Sequence, residues 1–195
     1  MARPQLHSTE TILDAARGLV LDRGAGAATV AEIARASGAP AGSIYHRFPS
    51  LAELFTQVWI RAVRRSQAEF ATAAADPDPL QAAVAAALSV YGFCDRHPAD
   101  ARLLLSFRRE DLIDGPISEA ARLELTELNE PIRGALTDLA RRLYGRASQE
   151  RLDLMALAVF DLPHGALRRP LIEGRKLSPR RRAALERAVR AALEQ

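Results

Sequence analysis

Within the first 48 residues, three short apolar-periodic segments are separated by glycine and closed by a proline, and that spacing leaves few folds open. Ile12, Leu13, Ala16, Leu19 and Val20 make the i, i+1, i+4, i+7, i+8 stripe of an amphipathic helix. Ser8 or Thr9 can cap it, and Arg23-Gly24-Ala25-Gly26 ends it. Thr29 stands three residues before Glu32, a capping box that opens a second helix with Val30, Ile33 and Ala34 inward and Ser37-Gly38 as its stop. A third helix is predicted from about Pro40, where a missing N–H costs nothing, to Arg47, with Pro49 breaking the chain. Two short helices joined by a tight glycine turn form a helix-turn-helix unit.

The third helix carries the chemistry. Ile44 and Phe48 are four apart and face inward, so at about 100° per residue Gly42 and His46 point away from the core, flanked by Ser43 and Tyr45. That outward face is small, polar and able to hydrogen-bond, which suits entry into a DNA major groove. The hydroxyls of Ser43 and Tyr45 suit phosphate oxygens. The Thr29 hydroxyl and the first amides of the second helix offer another phosphate site. His46 and Arg47 can reach base edges or phosphates, and Gly42 allows close approach of a backbone or base edge.

The rest of the chain reads as helices throughout. Ser50 and Glu53 form a second capping box before Leu51, Leu54, Phe55, Val58, Trp59 and Ala62, in a helix running past Phe70. Asp76-Pro77-Asp78-Pro79 starts a fifth helix (Leu80, Val84, Ala87, Leu88, Tyr91) that stops near His97-Pro98, and a sixth covers about 99–109 up to Gly115-Pro116. Ile117, Ala121, Leu125, Leu128, Ile132, Leu136, Leu139 and Leu143 predict one long seventh helix, bent at Pro131. An eighth, about 148–164, is apolar on two faces, so a partner surface should cover one of them. A ninth, about 179–194, carries Leu185, Ala188, Val189 and Ala192. The expected fold is all-α with about nine helices: a helix-turn-helix domain over residues 1–50 and a larger effector-binding and dimerisation domain over 51–195. The expected dimer face comprises Leu154, Leu157, Phe160, Leu185 and Val189.

Composition narrows the function classes. Apolar residues make up 48% and aromatics only 5%, with alanine and leucine prominent, a balance that favours helix over strand. The net charge is +3, and residues 1–50 carry five arginines against four acids, so charge alone does not announce nucleic-acid binding. Cys94 is the only cysteine, which excludes an internal disulfide and a CxxC metal site. No signal-peptide pattern and no apolar run of about 18 residues is present, so a cytoplasmic protein is expected. GxSxG, HExxH and Walker motifs are missing, and Gly24-x-Gly26 lacks the strand and third glycine of a dinucleotide loop. An enzyme, a metal and a cofactor are therefore not expected. Trp59, Tyr91, Phe93, Phe107 and Met155 are candidates to line an effector pocket, although each also fits an ordinary core position. Arg180-Arg181-Arg182 fits a solvated helix face, and His164 near Asp161 fits a surface or an interface.

The segment Thr29-Val30-Ala31-Glu32-Ile33-Ala34, followed by Gly38-Ala39-Pro40-Ala41-Gly42-Ser43-Ile44-Tyr45-His46-Arg47-Phe48-Pro49-Ser50, resembles the DNA-binding signature of TetR-family regulators, roughly T-V-x-x-I-A … G-V-S-x-G-x-L-Y-x-H-F-x-S-K. By that resemblance the DNA contacts fall on Thr29, Ala41, Gly42, Ser43, Tyr45, His46 and Arg47. Two departures stand out. Leu51 occupies a place that is often lysine, which removes one phosphate contact, and Pro40 and Ala41 stand where a polar residue is common, which makes base reading sparser. The resemblance implies an Ω-shaped homodimer with helices eight and nine in a four-helix bundle. It also implies a pseudo-palindromic operator with half-sites about 34–36 Å apart or somewhat more, and a small-molecule effector that favours a geometry released from DNA. The expected partners are double-stranded DNA, a second copy and an unidentified effector, with no membrane. The rival reading is a helical protein-interaction module that does not bind DNA, which retention on DNA at low salt would exclude.

Overall fold

The computed structural model describes residues 8–113 and 115–194, and among them every regular element is helical. The helices are α1 (Thr9–Arg23), α2 (Val30–Ser37), α3 (Ala41–Arg47), α4 (Leu51–Ala73), α5 (Pro79–Arg96), α6 (Pro98–Ser106), α7 (Arg109–Leu112), α8 (Glu119–Glu127), α9 (Glu130–Tyr144), α10 (Gln149–Ala156), α11 (Leu162–Ile172) and α12 (Pro179–Leu193). A 3-10 turn spans Ala25–Ala27, and a π turn over Leu157–Asp161 joins α10 to α11 without a break. The chain forms two compact units, Met1–Val63 with Arg102–Glu127 and Arg64–Ala101 with Leu128–Gln195. The functional boundary expected after residue 50 coincides with the cap of α4, whereas close packing extends the first unit along α4 to Val63.

The first unit closes over Ile12, Leu13, Ala16 and Val20 of α1, Ile33 of α2, Ile44 of α3, Phe48, and Leu54, Phe55 and Val58 of α4. Ser8 caps α1 by accepting the Thr11 amide at 3.1 Å. Gly24, at φ +83°, turns the chain out of α1 through a conformation that a side chain would strain. Arg61 of α4, 9% exposed, is held between two carboxylates of α1: Nη1 donates to Glu10 Oε2 at 2.9 Å and Nη2 lies 2.8 Å from Asp14 Oδ1. A cation this buried needs both partners, because desolvation alone would disfavour its charge.

The second unit closes over Phe70, Ala82, Ala83, Ala86, Ala87, Tyr91, Leu139, Met155, Val159, Leu167, Leu185, Val189 and Leu193. The run of alanines on α5 lets α12 lie close, and this is the most extensive helix pair. Burial pushes the Cys94 thiol up to about 11, so it behaves as a small apolar group and not as a nucleophile.

Three prolines explain where helices depart from the expected pattern. The predicted seventh helix does not bend at Pro131; it ends, and Leu128-Asn129 form a turn between α8 and α9. Pro131 has no N–H for the Glu127 carbonyl, and it disfavours helical geometry at the residue before it. The apolar spacing nevertheless runs on, because α8 and α9 each keep an inward face, with Ala121 buried in one and Leu139 and Ala140 in the other. The predicted eighth helix, in contrast, runs past His164 to Ile172. Pro163 sits just beyond the π turn, whose wider loop relieves the clash of a proline ring with the carbonyl four residues back. Pro170 would orphan the Ala166 carbonyl, and Arg181 Nη1 donates to that oxygen at 2.9 Å. Arg181 is therefore partly structural and not simply a solvated charge.

Leu167 is fully buried and Leu123 is 55% exposed. Leu167→Ala should cost about 2–5 kcal/mol in urea unfolding, and Leu123→Ala less than about 0.5 kcal/mol. Equal losses would contradict the placement of the second core.

Candidate nucleic-acid interface

The geometry of the first unit is set by caps. The Thr29–Glu32 box is complete: Glu32 N donates to Thr29 Oγ1 at 3.3 Å, and Thr29 N donates to Glu32 Oε2 at 3.2 Å. The Thr29 hydroxyl also donates to Glu32 Oε2, at 3.0 Å. These hydrogen bonds hold the Glu32 carboxyl below the usual carboxylate range, with Arg23 and Arg35 adding to the effect. The expected second box is half formed. Ser50 Oγ accepts the Glu53 amide at 3.1 Å, but the Glu53 carboxylate turns to Ser118, whose N and Oγ both donate to it, at the start of α8. A long-range partner with two donors replaces the single backbone N–H of the box.

Gly38, at φ +72°, ends α2 in the left-handed region, which only glycine enters without cost. Ser37 is buried, and its Oγ accepts the Ala39 amide at 3.2 Å, fixing the turn. Pro40 caps α3 instead of starting it: its carbonyl accepts the amides of Ser43 and Ile44. α3 then sinks Ile44, 1% exposed, and Phe48, 5% exposed, into the core. The opposite side carries Ala41, Gly42, Tyr45 and His46, all exposed, with Tyr45 at 54%. Ser43 and Arg47 flank this strip, half-buried, and Thr29 is exposed at the start of α2.

Gly42 is informative. A Cβ there would meet nothing within 4 Å, and its φ is not positive. Glycine inside a helix is destabilising by roughly 0.5–1 kcal/mol relative to alanine, and nothing within the chain requires it. Sequence reasoning missed the cations around Thr29. Arg23 Nη1 pairs with Glu32 at 2.8 Å and Arg35 lies 3.9 Å from it, with 56% and 76% of their side chains exposed. The i, i+3 spacing of Glu32 and Arg35 was the available signal; the bond to Arg23 of another helix had none.

The other candidate residues separate. Trp59 and Phe107 pack against the first core, Tyr91 and Met155 belong to the second, and Phe93 is buried with its ring 5.8 Å from that of His97. The five therefore do not form one cluster. Tyr91 is distinctive, since its hydroxyl is buried with no hydrogen-bond partner and burial raises its pKa. Of the expected dimer face, Leu157 (43%) and Phe160 (36%) are exposed, Phe160 stacks on Phe70 at 5.6 Å, and Leu154 is half-buried. Leu185 and Val189 correct the expectation. They are 5% and 0% exposed and face their own core, because α12 turns its leucine–valine stripe towards α5 and its alanines outward. Among the described residues no group of three or more His, Cys, Asp or Glu could hold a metal ion, and no helix is long and apolar enough to cross a membrane.

Thr29→Ala should lower unfolding stability by about 1 kcal/mol. The depressed Glu32 carboxyl contributes stability that is present above the unfolded value of about 4.3 and is lost as pH falls through its lower folded value. Glu32→Gln should flatten that acid limb in pH-dependent denaturant titrations; an unchanged limb would contradict the box.

Residues 12–58 match the family model for bacterial regulatory proteins, tetR family. No curated protein matches the chain. Solved structures match it over nearly its whole length. They include a Shewanella sp. PV-4 protein assigned to the tetR family of transcription regulators, 17% identical, covering 95% of each chain with a TM-score of 0.72. A TetR-like transcriptional regulator from Rhodococcus sp. RHA1 is 18% identical, covers 95% of this chain and 92% of its own, and has a TM-score of 0.67. The transcriptional regulator FadR from Bacillus subtilis, in complex with stearoyl-CoA, is 13% identical, covers 95% and 97%, and has a TM-score of 0.70. Through residues 12–58 the chain belongs to the tetR family of bacterial regulatory proteins, and that segment is the helix-turn-helix of a DNA-binding transcription regulator.

Proposed function

We propose that this chain is a one-component repressor that binds a pseudo-palindromic operator as a homodimer and leaves it when a small molecule binds the larger domain. Residues 1–50 read DNA, and residues 51–195 pair the two copies and take the effector. The observation that carries the reading is the exposed strip of α3, polar and small on the outside while Ile44 and Phe48 fix its rotation from beneath. Ser43 and Tyr45 place hydroxyls on phosphates, His46 and Arg47 reach base edges or phosphates, and Ala41 and Gly42 let the backbone come close. Thr29 joins the phosphate contacts by turning its hydroxyl from Glu32 to the duplex, with Arg23 and Arg35 beside it.

The unpartnered Tyr91 hydroxyl supports an effector site in the larger domain, since a buried polar group without a partner costs free energy that a ligand can return. FadR, which carries stearoyl-CoA, makes a partly apolar organic molecule the first class to screen. Such an effector acts by binding the released geometry better than the DNA-bound one. The exposed Leu157 and the neighbouring Leu154 and Phe160 support pairing through the α10–α11 helix.

Selection from a random duplex pool should return inverted half-sites about one helical turn apart or somewhat more. Tyr45→Phe and Ser43→Ala should weaken every selected site by a similar factor. A variant with altered base preference would overturn the phosphate roles, and failure to select any sequence would overturn the reading itself. Leu157→Arg should give folded monomers with poor operator affinity, read by light scattering and gel shift. An intact dimer would refute the pairing face.

A further inference from the structure

The second unit carries an open groove of about 520 Å³ between α11 and α12, and its occupant follows from the rest of the same surface. Leu162 and Ala166 of α11 and Ala184 and Ala188 of α12 form its apolar walls, and Arg180 and Arg181 stand at its rim. Alanines at these positions let a protruding side chain sink between two helices.

The π turn supplies the protrusion. The Leu162 amide donates to the Leu157 carbonyl, a five-residue step that stacks Leu157 one turn below Leu162. Leu154, Leu157, Leu162 and Ala166 thus form one continuous strip that is raised at Leu157 and hollow at Ala166. A regular helix would have turned Leu157 away from the groove. The charges are divided in the same way. Asp161, four residues from Leu157, is exposed and unpaired among the described residues, as is Arg180 at the groove rim. A surface with a knob and an acid at one end, and a hole and a base at the other, is complementary to itself under a two-fold rotation.

We infer that the groove between α11 and α12 receives Leu157 of a second copy of this chain, with that copy's Asp161 set on Arg180 and the same contact repeated across the two-fold. This rests on the two-fold pairing proposed above and adds what that pairing leaves open: which surface the exposed leucine enters and which charges fix its register. Arg181 already spends one nitrogen on the Ala166 carbonyl, so Arg180 is the free partner for the incoming carboxylate.

Charge exchange tests the register. Asp161→Arg and Arg180→Asp each place like charges in both copies of the contact, and each should weaken dimerisation about tenfold at low salt. Mixing the two variants gives Arg against Asp at both contacts, and the heterodimer should return to within about threefold of the wild-type affinity. Sedimentation equilibrium with one chain tagged reads both quantities, and circular dichroism checks that each variant is folded. Wild-type chains that stay monomeric would remove the pairing and this inference together. Wild-type dimers that Leu157→Arg dissociates, but that are indifferent to the charge variants or not restored by mixing them, would overturn this inference and leave the pairing intact.

Discussion

The rotational setting of a seven-residue helix is the constraint on which the rest depends. α3 is too short to be stable by propensity, and it is held by what lies beneath it, Ile44 and Phe48 sealed in the first core, and by the Ser37–Gly38 turn in front of it. Rotating it by a third of a turn would bury Tyr45 or His46 and expose Ile44, at the cost of a buried isoleucine. The core thereby dictates which side chains face outward, and the recognition chemistry is a by-product of hydrophobic packing on the opposite side.

That head is not an isolated module. α4 starts beneath α3, supplies Leu54, Phe55 and Val58 to the first core, and clamps α1 through the buried Arg61 with Glu10 and Asp14. The same helix continues into the second unit, where Arg65 pairs with the buried Asp100 at 2.8 Å. One rigid element thus carries a desolvated ion pair in each unit, and partial disruption of either leaves an uncompensated charge. A helix anchored in this way moves as a piece or not at all, which is the property a ligand-driven release of DNA needs from it.

Much of this was legible in the residues. The first three helices, their caps and the inward Ile44–Phe48 pair follow from local rules, since capping boxes, left-handed glycines and i, i+4 spacing act within one or two turns. What escaped was decided at long range. Glu53 abandons its own helix start for Ser118, 65 residues away, because two donors outcompete one. Leu185 and Val189 were misassigned because a leucine–valine stripe looks the same whether it meets its own α5 or another copy; only the alanines of α5 decide it. The prolines were visible, but their outcomes differ with context: Pro131 ends a helix, while Pro163 is absorbed by a π turn and Pro170 by the Arg181 guanidinium, a donor on another helix.

The most direct test of the central claim is amide hydrogen exchange on the full-length chain, free and bound to its selected duplex. The account predicts added protection concentrated at the start of α2, residues 29–32, and along α3, residues 41–47. Binding that leaves α3 unchanged while protecting another surface would contradict it.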